Sequence, residues 1–132
     1  MLDYPGNKRR AFTGIMQPTR TIKARIVYGE VTLSSGSGKW FYYSTKPDGM
    51  IYKLCEFSSG QSPFGWHHVG LKLGDELFMH EYGKEFSVWS FAVDRALSFR
   101  YPDVIYIYLG NATAGSVSAW FQMSFWREID RS

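Results

Sequence analysis

Apolar and polar positions alternate along most of this chain, and the alternation is clearest toward its C-terminal end. There Val117, Ala119, Phe121, Met123, Phe125 and Ile129 fall on one face of an extended segment, while Ser116, Ser118, Trp120, Gln122, Ser124, Trp126 and Glu128 fall on the other. A period of two is that of a strand with one face in a core. The preceding apolar run, Val104 to Leu109, is joined to it by Gly110-Asn111-Ala112-Thr113-Ala114-Gly115. The two arms are therefore expected to pair as an antiparallel hairpin with Phe121, Met123 and Phe125 buried. The second face is unusual for a solvated surface, because two tryptophans among small polar residues need a cover.

The same reading starts the body near Arg20. Ile22, Ala24, Ile26 and Tyr28 alternate with Thr21, Lys23, Arg25 and Val27, but past Gly29 the apolar positions become Val31 and Leu33, one residue out of phase. This predicts a β-bulge near Gly29. Lys39 to Thr45 reads as a second strand. Lys46-Pro47-Asp48-Gly49 is a turn, with φ preset at Pro and positive φ supplied by Gly, that returns the chain into Met50 to Phe57 as a hairpin. Trp66 to Leu73 carries His67, Val69, Leu71 and Leu73 on one face, and Gly74-Asp75 folds it tightly onto Glu76 to Tyr82. Between Glu85 and Arg100 a helical stripe competes with a strand pattern. The expectation there is a strand to about Val93, then a short helical or irregular turn ended by Tyr101-Pro102-Asp103.

These segments predict an all-β chain: a single-domain β-sandwich of about eight antiparallel strands, jelly-roll-like. Residues 20 to 132 form the sandwich. Residues 1 to 19, with Pro5-Gly6, Gly14 and Pro18 and little periodicity, form an N-terminal arm. An aromatic share of 18% fits this class, since aromatic side chains favour strands. Cys55 is the one cysteine, so no disulfide can form within the chain and a reducing compartment is expected. The segment Met1 to Gly6 lacks a signal-peptide core, and no apolar run approaches the roughly 18 to 20 residues that span a bilayer. A soluble protein of the cytoplasm or of a virion is expected, without membrane insertion.

Charge adds one feature. Lys8, Arg9, Arg10, Arg20, Lys23 and Arg25 are offset only by Asp3 before residue 30, so this segment carries +5 of a chain total of +3 and the remainder carries −2. A basic arm on a nearly neutral body is an electrostatic address for phosphate, and these six residues are the candidate nucleic-acid contacts.

Candidate chemistry is sparse. His67 and His68 point to opposite faces of a strand, so at most one can join His80, and no HxH spacing is present; ordinary surface and partly buried histidines are expected, with no metal and no cofactor. Asp75 and Glu76 occupy a turn and do not flank a substrate. Cys55 reads as a small, half-buried thiol, no serine stands in GxSxG, and Ser34 to Gly38 lacks the spacing of a phosphate loop. Enzymatic activity is not expected. Trp120 and Trp126, opposite an already apolar face, are the candidate contacts for a subunit or a ligand.

The layout of Lys8-Arg9-Arg10 with Arg20, Lys23 and Arg25 ahead of about eight strands, ending in Val104 to Glu128 as the last two, resembles that of small viral jelly-roll capsid proteins. The resemblance implies a self-assembling coat protein, a homo-oligomer or shell whose arm faces RNA or DNA. The alternative is a lectin-like carbohydrate-binding β-sandwich in which exposed Trp and Tyr stack on sugar rings, aided by Asn111, Gln61 and loop carboxylates. A third reading, a single-stranded nucleic-acid binder, interleaves aromatic strands with Lys39, Lys53 and Lys72.

Overall fold

The computed structural model describes residues 22 to 84, 86 to 92 and 95 to 131. The arm expected over residues 1 to 19, with Lys8, Arg9 and Arg10, and also Arg20, lies outside the described residues. Among the described residues nine strands run in chain order as β1 (Ile22–Leu33), β2 (Gly38–Ser44), β3 (Met50–Ser62), β4 (Trp66–Leu73), β5 (Glu76–Lys84), β6 (Ser87–Ser90), β7 (Ser98–Phe99), β8 (Val104–Asn111) and β9 (Val117–Ile129). Among the described residues there is no α-helix. The ambiguous stretch after Glu85 resolves into β6, which ends at Ser90, an irregular turn in which Arg95 N–H donates to Ala92 O at 3.0 Å, and the two-residue β7.

All strand pairs are antiparallel. One sheet has the order β1-β9-β3-β6, with β7 also pairing β3; the other has the order β2-β8-β4-β5. β6 pairs with Glu56 to Ser59 and β7 with Tyr52 and Lys53, so together they fill one position beside β3. Early and late strands thus interleave in both layers, as in the double Greek key of a jelly roll. The all-β sandwich read from the sequence is what the chain forms.

Two expected hairpins are not formed. β8 and β9 lie in different sheets, β8 between β2 and β4 and β9 between β1 and β3. β2 and β3 are likewise split between the sheets, although Gly49 takes the positive φ (72°) that the turn was expected to use. Alternation identifies a strand with a buried face, but neighbouring buried faces are equally satisfied by pairing edge to edge or by facing each other across a core about 10 Å thick. The β4–β5 hairpin does form, and Gly74 turns it with φ 59°.

Asn111 ties the β8–β9 arch. Its side-chain amide donates to Leu33 O (3.2 Å) and Gly115 O (2.7 Å), and its carbonyl oxygen accepts from Thr113 N–H (2.9 Å) and Thr113 Oγ1–H (2.6 Å). Its backbone N–H donates to Ser37 O at 2.8 Å. The buried side chain therefore links the β1 end to the arch with all its polar valences used, and the backbone of the same residue adds the β1–β2 loop.

The β1 phase change has a different cause from the expected bulge. Register with β9 is continuous from Arg25 to Leu33, and the irregularity lies between Lys23 and Arg25. Val27, Gly29, Val31 and Leu33 form a single inward face, while Ile26 and Tyr28 point outward and are 60% and 56% exposed. Gly29 is inward because a Cβ there would overlap the ring of Phe121. That ring lies 5.1 Å from Phe41 of the facing sheet and 6.1 Å from Phe57 of its own. Phe125 continues the seam, stacked on Tyr43 at 5.7 Å and edge-on to Phe99 at 5.2 Å. Met123 and Phe125 are fully buried and Phe121 almost so, as expected, whereas Ile129, expected on the apolar face, is exposed at the strand end.

Because Phe121 fills the gap beneath Gly29 and touches both layers, Phe121→Ala leaves a cavity that β1 cannot close. The expected cost is about 3 to 5 kcal/mol of unfolding free energy, measured by urea denaturation. A loss below about 1 kcal/mol contradicts this packing.

Candidate interaction surfaces

With the core assigned, the outward faces hold what remains of the aromatic content. On the sheet β2-β8-β4-β5 the registers Trp40↔Tyr108, Tyr42↔Tyr106, Gly70↔Tyr108, Lys72↔Tyr106 and His68↔Tyr82 place these residues together on the outer face. A row of rings crosses all four strands. Trp40 lies 5.0 Å from Tyr108, Tyr108 lies 5.2 Å from His68, and His68 stacks on Tyr82 at 4.8 Å with 15° between planes. Tyr108 can lie flat because Gly38 and Gly110 flank it; a side chain at either position would run into its ring. The ammonium of Lys72 sits 5.2 Å from the Trp40 ring and 5.9 Å from that of Tyr106, in cation–π range. Tyr42 is 76% exposed at the sheet edge.

The outer face of the other sheet carries Trp120 and Trp126, both half-buried. Trp120 lies across Gly60, where a Cβ would come within 2.6 Å of its ring, and stacks on Phe86 at 5.4 Å. Tyr28, Phe86 and Val88 on this sheet are exposed. Trp126 faces outward opposite Lys53, whose ammonium pairs with Glu128 at 3.0 Å. Both tryptophans therefore point away from the core as expected, and Trp120 already rests on Gly60 and Phe86 of its own sheet. Lys23 and Arg25 lie on β1 at the edge of this sheet; Lys8, Arg9, Arg10 and Arg20 are outside the described residues.

Other expected contacts are placed elsewhere. Gln61 and Asn111, the polar partners of the lectin reading, are buried, so neither can reach a sugar. Lys53 lies on the outer face of one sheet and Lys72 on that of the other, while Lys39 has the inward parity of Phe41. These three cations do not line one groove. Asp75 and Glu76 are exposed at the β4–β5 turn, and Cys55 is the extra residue of the irregularity between Leu54 and Glu56.

One pairing has no counterpart in the sequence pattern. His67 faces inward, with Nδ1–H directed at Gly65 O (3.4 Å) and Nε2 accepting from Ser59 Oγ–H (3.0 Å). A hydroxyl on an imidazole is the geometry of an activated nucleophile, but Ser59 is fully buried and no substrate can approach it. The hydroxyl satisfies the buried ring instead. A small pocket of about 200 Å³ lies between the β2–β3 turn and Arg100, Tyr101 and Asp130; Arg100 bridges Asp130 at 2.5 Å, and Asp48 accepts from the Tyr52 hydroxyl. No helix among the described residues is long and apolar enough to cross a membrane.

Burial pushes the His67 imidazole below the ordinary histidine value of 6.5, against a smaller upward pull from Gly65 O. The unfolded chain then binds the proton more readily than the fold, so stability is complete above about pH 6.5 and falls as pH drops from there toward the folded value. Thermal melts between pH 7.5 and 5 should show a decreasing Tm that His67→Gln flattens. An equal slope in the variant contradicts this assignment. No family model matches the chain, and no curated protein is significantly similar to it.

Proposed function

We propose that this chain is a self-assembling structural protein, coat-like, whose basic N-terminal arm contacts nucleic acid. The observation that carries the reading is that both sheets present aromatic side chains outward. Trp40, Tyr42 and Tyr82 stand exposed on one sheet, and Tyr28 and Phe86 stand exposed beside Trp120 on the other. A monomer in water has no use for apolar rings on two opposite faces, whereas a subunit with neighbours on several sides buries them. The jelly-roll strand order is compatible with this role and is equally used by lectins, so topology alone does not decide. Charge adds support: six cations in residues 1 to 29 precede or occupy β1, an edge strand. A virion location and a homo-oligomeric state belong to this proposal.

The carbohydrate-binding alternative is favoured by one specific feature, the ring row Trp40–Tyr108–His68–Tyr82 with its tyrosine hydroxyls. Flat rings with polar rims suit sugar stacking. That reading leaves the basic arm and the Trp120 face without a purpose.

Two variants test the proposal together. Trp120→Ala with Trp126→Ala should shift sedimentation from large species toward monomer while far-ultraviolet circular dichroism stays that of a folded sandwich. Lys8→Ala with Arg9→Ala and Arg10→Ala should preserve assembly but weaken RNA or DNA binding. For every phosphate that this variant no longer neutralises, the salt slope of log K should fall by about 0.7 to 0.9. A double tryptophan variant of unchanged size, or an arm variant that binds nucleic acid equally across a salt titration, rejects the corresponding half.

A further inference from the structure

The imidazoles of His68 and His80 meet through their Nε2 atoms across β4 and β5. Register places Gly70 opposite His80 and Tyr82 opposite His68, so the two histidines are diagonal neighbours on the outer face. The His68 and His80 ring centroids are 4.2 Å apart. Two nitrogens aimed at one point can share only one hydrogen: one Nε2 donates and the other must offer its lone pair.

We infer that His68 and His80 form a two-histidine site for a divalent transition metal of the zinc class on the outer face of the β4–β5 hairpin. With each ring carrying its hydrogen on Nδ1, a dication between them takes both Nε2 lone pairs at nitrogen–metal distances of about 2.0 to 2.1 Å, the two nitrogens parting to about 3.3 Å to admit it. Imidazole nitrogen selects zinc, copper or nickel over magnesium or calcium, whose preferred ligands are oxygens. The ligand rings are partly set before the ion arrives. His68 is held between the stacked Tyr82 ring and the edge of Tyr108, and both histidines stand on paired strands. His80 is exposed, so an ion reaches the pair from solvent.

Among the described residues no cluster of three or more His, Cys, Asp or Glu completes a cage. The site thus supplies two ligands and leaves the remaining positions open outward, unlike a closed structural zinc centre. The inference stands independently of the coat-like reading, since it concerns one hairpin of one chain.

Titration of the full-length chain with zinc chloride in a non-chelating buffer, followed by calorimetry, tests it. One zinc ion per chain is expected, with affinity reduced about ten-fold or more in His80→Ala, an exposed position whose loss leaves the core untouched. His68→Ala should do the same, and Cys55→Ser should bind as the parent does. In nitrogen-15 spectra zinc should move the Nε2 resonances of His68 and His80 and leave buried His67 in place. No saturable binding below about 1 mM, unchanged binding in His80→Ala, or loss of binding in Cys55→Ser overturns the site.

Discussion

The aromatic seam between the two sheets is the interaction on which the rest of this molecule depends. Phe121 and Phe125 on β9 meet Phe41 and Tyr43 on β2, with Phe57 and Phe99 completing the layer. A side chain at residue 29 would occupy the space of the Phe121 ring, so that glycine is a packing requirement and not a backbone one. Aromatic contacts of this kind add about 0.5 to 1.5 kcal/mol per pair to the burial of the rings. Because the seam draws from β2 and β9, which share no edge, it holds the two sheets face to face and leaves the backbone ladders to extend each sheet sideways.

That arrangement decides what remains for function. The inward positions are filled by phenylalanine, leucine, isoleucine and methionine, and the buried polar groups Asn111, Ser59 and His67 are bound to one another's loops and strands. The chemistry available to a partner lies on the two outer faces. Tyrosine, tryptophan and histidine dominate there, residues that offer a flat apolar body together with a polar tip. Such rings suit interfaces that exclude water at their centre and remain polar at their rim. Glycines 38, 60 and 110 let Tyr108 and Trp120 lie along the sheet surface, so both faces are flatter than side chains elsewhere would allow.

Much of this was legible in the sequence. Alternation located the strands, identified Phe121, Met123 and Phe125 as core, and set Trp120 and Trp126 outward. Pairing was not legible, because a period of two reports that a face is buried without saying against which layer. The arch from Gly110 to Gly115 looks like a hairpin loop until Asn111 is seen joining it to Leu33 and Ser37. Gly29 misled for a related reason: an inward glycine interrupts an apolar pattern where a large ring on another strand fills the site. The ring row on the second sheet is a product of register between distant segments, which no local pattern encodes, whereas the His68–His80 meeting lies within the β4–β5 hairpin that the Gly74-Asp75 turn announces.

If the outward aromatic faces are subunit contacts, the chain does not stay alone in solution. Multi-angle light scattering of the full-length chain after size exclusion, over a rising protein concentration, measures this directly. The predicted result is a discrete species many times the 15.2 kDa chain mass that persists on dilution. A mass that stays at one chain at the highest concentration, with both faces open to solvent, contradicts it.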